Sequence, residues 1–433
     1  MSGYDRRGFI KKSGLITGGV AVSPFPGILR FGSQTTNSLK IGLVGCGGRG
    51  TGAAAQALMA HPGNTLVAMG DLFEDHLSRS FEGLMEVEEI QKQLQVSNEN
   101  KFLGFDAYKN VIEKCDVVIL ATPPAFRPEH FELAVDQGKH VFMEKPLSCD
   151  GPGTRRILDA GKVADEKNLK VVVGLQNRYD PAYQEMVQQL QDGVIGKIVS
   201  STCYYLKGGY PLIPRSTVSS ELEFQIKNWH YFTWVWAGAP AGLQIHNADI
   251  VHWAKGNYPV KAQGMGGRAS LKGPDSGDVF DHFYIEYTYD DGTTMHSEIR
   301  NIDKNFNKNG TWFIGTEGTA NVREGIQSHT GKALWSFDPS KGNNAYQLEH
   351  DVFFDAIIHD KPQNDTRFGA YSTLTANMGR MAAHSGREIS QEMALKSDLK
   401  LYQEITSWDD IPPVLPDQKG IYPFPTPGIT SVY

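Results

Sequence analysis

The chain has 433 residues, 40% hydrophobic and 21% charged, a balance ordinary for a folded protein in water and a length sufficient for two domains. A formal net charge of -7, with no basic patch interleaved with aromatics, argues against a nucleic-acid partner. The four cysteines, Cys46, Cys115, Cys149 and Cys203, lack metal-ligand spacing, so buried free thiols are expected, with neither a disulfide nor a metal.

Arg6-Arg7-Gly8-Phe9-Ile10-Lys11 precedes a weakly apolar, uncharged stretch from Ser13 to Pro24. That pattern predicts a twin-arginine export signal and linker over 1–36, and therefore a periplasmic or otherwise exported protein. The apolar stretch is too short and too rich in glycine to be a stable membrane span. This export route carries folded proteins, which a chain that must collect its cofactor in the cytoplasm would require.

From 37 to 175 apolar strands alternate with helical segments, the pattern of a parallel sheet covered on both faces. The first strand is Ile41 to Val44, and it stops at Gly45, Gly47 and Gly50, spaced G-x-G-x-x-G. The first glycine permits the tight turn, the second lets backbone approach a pyrophosphate, and the third lets the following helix pack closely. Alone this fingerprint also fits an ordinary tight turn. A second strand, Leu66 to Met69, ends at Gly70-Asp71, roughly 20 residues on, where a carboxylate can bond a ribose hydroxyl. Asp71 would repel a 2′-phosphate, so NAD is expected over NADP unless Arg49 compensates. A helix-prone stretch from Glu74 to Leu94 follows. Then come strands Asp116 to Leu120, His140 to Met143 and Val171 to Val173, with helices near Pro128 to Gln137 and Gly153 to Glu166.

The texture changes over 176–387. A helix from Pro181 to Asp192 leads to a strand at Lys197 to Tyr205, and Asp281 to Tyr289 faces Thr293 to Ile299 across Asp290-Asp291-Gly292, a hairpin signal. Further strands are expected at Val260 to Arg268, Thr311 to Ile314, Ala320 to Val322 and Ala333 to Phe337. Two helices follow, one with Phe353, Phe354, Ile357 and Ile358 on a single face, the other marked by Leu374, Met378 and Met381. Residues 388–433 read as a tail, proline-rich after Trp408. The fold expected is α/β: a doubly wound parallel Rossmann sheet, then an α+β domain with a large, mainly antiparallel open sheet.

Glu144-Lys145-Pro146 follows a core strand directly, at the carboxyl edge where doubly wound sheets bind ligands. A lysine there can hold a substrate hydroxyl and relay its proton. A surface Glu-Lys pair before a proline is the plainer alternative. In LQIHNADIVHW, Leu243 to Trp253, His246 and Asp249 lie three apart and share a helical side. A hydrogen-bonded core histidine competes there with a catalytic one. Trp229, His230, Tyr231, Trp234 and Trp236 form a dense aromatic segment, core of the second domain or a stacking surface for pyranose rings. Trp229 is the best candidate for reaching a ligand.

The glycine loop, Ala121-Thr122-Pro123-Pro124, Glu144-Lys145-Pro146, Asn177-Arg178-Tyr179-Asp180-Pro181 and His246-x-x-Asp249, in that order, resemble the Gfo/Idh/MocA oxidoreductases from about Lys40 to Glu388. The resemblance implies NAD(P)-linked chemistry on a sugar, glycoside or polyol hydroxyl, in a homo-oligomer, dimer or tetramer. By motif it makes Lys145 and His246 catalytic, and makes Asp249, Arg178 and Tyr179 substrate contacts. It places Gly45, Gly47, Gly48, Arg49, Gly50, Asp71, Thr122, Pro123, Glu144 and Lys145 around the cofactor. One departure stands out: many dehydrogenases of the family carry an aspartate four residues before the histidine, where this chain has Gly242. Two rival readings are NAD-dependent glycoside cleavage through transient C3 oxidation, and a sugar-binding protein without catalysis on a reused fold.

Overall fold

A computed structural model describes residues 38–433, so the expected export signal lies outside the described residues. Strand β1 (Leu39–Val44) is buried from Ile41 onward and pairs in parallel with β2 (Asn64–Asp71) on one side. Two later strands matter as much: β3 (Lys101–Leu103) extends β2 at the edge, and β4 (Val117–Leu120) pairs with β1. With β5 (His140–Met143) and β6 (Val171–Val173) the order is β3-β2-β1-β4-β5-β6, parallel throughout. The order reverses between β1 and β4, which opens a crevice at the strands' carboxyl ends. Their apolar runs lack alternation because helices cover both faces.

The expected helix from Glu74 to Leu94 is broken in two: a helix Glu74–Met85 and a 3-10 turn Glu88–Gln93. Gln93 explains the break. Its side-chain nitrogen reaches the carbonyls of Leu58, His61 and Asn64 at 2.8–3.0 Å, drawing this segment onto the end of the helix Gly48–Ala60.

The second sheet has nine strands: β7 (Ile198–Lys207), β8 (Lys261–Gly267), β9 (His282–Thr288), β10 (Thr294–Asn301), β11 (Lys308–Gly315), β12 (Gly318–Asn321), β13 (Gly325–Ser328), β14 (Ala333–Trp335) and β15 (Ile389–Ser390). Neighbours are antiparallel except β7 and β10, which run parallel at its centre. The β9–β10 hairpin turns at Gly292, whose φ of +80° suits glycine. Helices Ile245–Lys255 and Thr366–Ser385 cover one face. Met265, Tyr284 and Ile314 are exposed on strands of this sheet. Among the described residues no helix is long and apolar enough to cross a membrane.

The helix Ala345–Ile358 returns to the first sheet. Phe353 and Phe354 are buried with Ile41, Leu43, Phe142 and Val172 rather than with the second sheet. The stretch from 388 onward begins with strand β15, paired to β8, and a helix Gln391–Lys396, then runs along the molecule with Ile405, Tyr422 and Val432 buried.

Candidate active site

The glycine loop is shaped by close approach. Gly45 has φ +93°, and a Cβ there would lie 2.8 Å from the Thr122 amide nitrogen; a Cβ on Gly50 would lie 1.9 Å from the Gly45 carbonyl oxygen. Around Gly47 and Gly48 a Cβ would meet nothing within 4 Å. No side chain caps the helix Gly48–Ala60, so its first amides remain available to an anion. The Asp71 carboxylate, at the end of β2, accepts from the Cys46 amide at 2.6 Å and the Phe73 amide at 2.9 Å. This combination of open glycines, an uncapped helix start and a fixed carboxylate fits a dinucleotide, with Gly45 to Gly50 holding the pyrophosphate and Asp71 the adenosine ribose.

Arg49 turns away from Asp71. Its Nε lies 2.6 Å from Glu144 Oε1, its Nη2 reaches Gln56 at 2.8 Å, and its guanidinium lies 4.8 Å from the centre of the Tyr346 ring. Glu349, fully buried on the returning helix, stands 3.8 Å from it. Burial, opposed only in part by Arg49, pushes the Glu349 carboxyl well up.

Lys145 follows β5 directly and is buried. Burial lowers its amine to about 8, Glu144 opposing and Arg127 and Arg49 adding to the shift. Its Nζ donates to the Gly242 carbonyl at 2.9 Å. That carbonyl belongs to a π-helical turn, Pro240–Gln244, which opens directly into the helix Ile245–Lys255. Irregular turns of this kind mark functional sites. The structure also accounts for Gly242: a Cβ would lie 2.0 Å from Trp236 Nε1. At this position the chain packs an indole against the glycine, and its lysine is held by backbone.

His246, one turn along, has its Nδ1 buried and without a hydrogen-bond partner. Burial, and then the positive Lys145, push its ring well below the usual histidine range, which leaves it neutral. Asp249 points elsewhere. It is 1% exposed and forms a two-pronged ion pair with Arg178, 2.7 and 2.9 Å, while Ser372 donates to it at 2.7 Å. Arg178 in turn stacks over Phe368 at 3.9 Å. Tyr179 is buried and donates to Asp365, whose carboxyl burial raises to about 7. Arg178, Tyr179 and Asp249 thus tie the turn Gln176–Tyr179 to the second domain's helices.

Two groups had no signal of their own in the sequence. Arg127, almost fully buried, donates to the carbonyls of Thr122 and Pro146, fastening the loops after β4 and β5 together; burial lowers it to about 10. Thr122 Oγ1 lies 3.3 Å from His130 Nδ1, and Pro123 accepts from the Phe126 amide at 3.2 Å. The second group is His230. Its ring lies between Tyr210 and Trp229, both centroids at 3.7 Å, with Trp236 edge-on at 5.3 Å. Burial, Lys207 and Lys145 lower its basicity to about 3, so this ring too is neutral. Its position inside the aromatic segment was the only hint available. Among the described residues no cluster of His, Cys, Asp and Glu could hold a metal ion.

Residues 39–175 match the oxidoreductase family with an NAD-binding Rossmann fold. Through that segment the chain is similar to the Gfo/Idh/MocA oxidoreductases. An inositol 2-dehydrogenase of Saccharopolyspora erythraea is 31% identical over 180 residues, covering 41% of this chain and 48% of its own. The chain thus spans about half the length of that relative. The scyllo-inositol 2-dehydrogenase (NAD(+)) of Bacillus subtilis is 26% identical over 371 residues, 81% of this chain and 95% of its own. The scyllo-inositol dehydrogenase of Lactobacillus casei, solved with NAD(H) and scyllo-inositol, superposes at a TM-score of 0.59 with 20% identity, over 82% of this chain and 100% of that one. That likeness shows the fold alone, a Rossmann sheet joined to a large mixed sheet.

Proposed function

We propose that the protein is an NAD-dependent oxidoreductase acting at a ring hydroxyl of a sugar, glycoside or polyol, with Lys145 and His246 moving the hydroxyl proton. One observation carries this reading: a buried amine lowered to about 8 stands beside a neutral imidazole, at the carboxyl end of β5. When bound, the nicotinamide ring accepts or returns the hydride. The chain's own residues do the rest. Lys145 and His246 together hold the hydroxyl and relay its proton, and Trp236 packs against the Gly242 turn that carries the lysine's acceptor. The names of the two inositol dehydrogenase relatives support a polyol or sugar substrate.

NAD is favoured over NADP because Asp71 faces the loop while Arg49, the cation of the loop itself, is occupied by Glu144. We also propose a homo-oligomer, supported by the apolar side chains exposed on the nine-stranded sheet. Export is supported by Arg6-Arg7. An exported dehydrogenase that released its cofactor would stop after one turnover, so the cofactor is retained and reoxidised in place by a second sugar or ketone. Mass spectrometry of the ligand freed by denaturing purified protein should show NAD(H). Dialysed protein should turn over paired donor and acceptor sugars without added cofactor; loss of all activity on dialysis, restored only by millimolar NAD, would overturn cofactor retention.

A further inference from the structure

Lys207 ends β7, and by alternation its side chain follows Ser201, Cys203 and Tyr205 onto the face that the helices cover. The residue is half-buried, and among the described residues its amine forms no ion pair and no hydrogen bond. Its Nζ sits over the Tyr210 ring, 3.6 Å from the centre. The one carboxylate that acts on it is Asp303, which is exposed and accepts from the Gly209 amide at 2.9 Å. Burial outweighs that charge and lowers the amine from the ordinary lysine range. An amine partly withdrawn from water is normally matched by a close counter-charge, and this one is not.

A chain of contacts joins Lys207 to Lys145. Tyr210 stacks on His230, and His230 meets Trp236 edge-on at 5.3 Å. Trp236 packs against Gly242, whose carbonyl holds Lys145. Both amines act on the His230 ring, each lowering its basicity, so they flank one aromatic wall. That wall is open in part, since Tyr210, Trp229 and His230 are all half-buried. A sugar ring laid against it would strip water from the Lys207 amine. A neutral sugar returns nothing for that lost hydration, whereas an acid group pairs with the charge. His230 is neutral, so the unmatched charge beyond the stack is a single one, which suits a carboxylate better than a phosphate dianion.

We propose that Lys207 is a specificity-determining residue, and that the substrate is a sugar or polyol carrying a carboxylate away from the hydroxyl that is oxidised. This rests on reading the Lys145 site as that of a sugar oxidoreductase. Lys145 then addresses the reacting hydroxyl, and Lys207 selects the acid group at the other end of the wall.

The test uses the full chain with its cofactor bound, and D-glucuronate, D-glucose and D-glucose 6-phosphate as probes. By calorimetry glucuronate should bind roughly tenfold more tightly than glucose at low ionic strength, an advantage that shrinks as salt is added. Lys207→Gln should bring the ratio of the two affinities to about one, and Lys207→Arg should keep most of it; a merely structural role would move both affinities together. Cofactor content checks that each variant folds, and Lys207→Met replaces any that does not. Glucuronate that binds no better than glucose, with failure of both to bind included, would overturn the proposal, as would a folded Lys207→Gln that keeps the preference. Tighter binding of glucose 6-phosphate than of glucuronate would overturn the carboxylate assignment. Binding is read without turnover: glucuronate preference in a protein that oxidises no sugar would remove the oxidoreductase reading and leave Lys207 its role. Oxidation of glucose and glucuronate with equal kcat/KM would do the reverse.

Discussion

Lys145 Nζ donates to the carbonyl of Gly242, 2.9 Å away across the domain boundary. The bond spans the carboxyl end of β5 and the turn that leads into the helix carrying His246. It aims the amine without neutralising it. A carboxylate at position 242 would hold the lysine charged, whereas a carbonyl lets burial lower it.

Gly242→Ala therefore tests the packing. The new Cβ would collide with Trp236 Nε1, so a loss of about 1–3 kcal/mol is expected in thermal unfolding, together with a fall in turnover. Adding Trp236→Phe, which removes the colliding nitrogen, should recover part of the stability. Equal melting temperatures for wild type and Gly242→Ala would contradict the contact.

The pH dependence has a definite sign. Lys145 is lowered to about 8, so its proton-accepting form grows as pH rises through 8, while His246 stays neutral over the whole range. For oxidation, kcat/KM should rise roughly tenfold per pH unit below 8 and level off above it; for reduction it should fall through the same value. Lys145→Ala and His246→Ala should each cost about 10²-fold or more in turnover, and the double variant much less than their product. A flat profile, or full additivity, would assign one of them to packing.

Asp71→Ser should weaken NAD and relax exclusion of NADP, read by titrating both nucleotides. Because Arg49 is held at 2.6 Å by Glu144, the single change should not yield strong NADP preference; Asp71→Ser with Glu144→Ala, which removes that partner, should move further. Wild-type protein that binds NADP more tightly than NAD would show that Asp71 does not set the choice.

Asp249→Ala separates a substrate contact from a structural one. Removing it strands Arg178, 16% exposed at the side chain, and should cost about 3–5 kcal/mol of stability. A raised KM with an unchanged melting temperature would instead mark Asp249 as a substrate contact.

Met265→Glu and Ile314→Glu place charge on exposed apolar positions, 69% and 48% accessible, of the nine-stranded sheet. If that sheet is the contact between copies, either variant should sediment as a smaller species than the wild type. Identical sedimentation of both variants and wild type would move the contact elsewhere.

Much of the fold was legible because strand runs and glycine spacing are local signals. Ile41 to Val44, Val117 to Leu120 and the Asp290-Asp291-Gly292 turn all fall where their patterns place them. What was not legible depends on distant partners. Gln93 breaks a helix by reaching carbonyls about 30 positions away, β3 and β15 are too short to carry a pattern, and the pairing of Asp249 with Arg178 joins residues 71 apart. At the candidate site, motif order singled out Lys145 and His246 by position, but their protonation follows from burial, which no motif encodes. Arg127 looked like any arginine at a helix start until both of its carbonyl partners were seen.

The nucleotide-binding half is not a contiguous stretch of chain. His350 stacks on Phe142 at 4.2 Å, and Phe353 and Phe354 complete the cluster around Ile41 and Val172. A ribosome that has released only the first 175 residues has therefore made every strand of that sheet but not the helix that seals it. Fragments cut at that point would carry a bare apolar face and stick to one another. Synthesis must run well past residue 354 before the cofactor meets a finished pocket, so loading is an event of the whole chain.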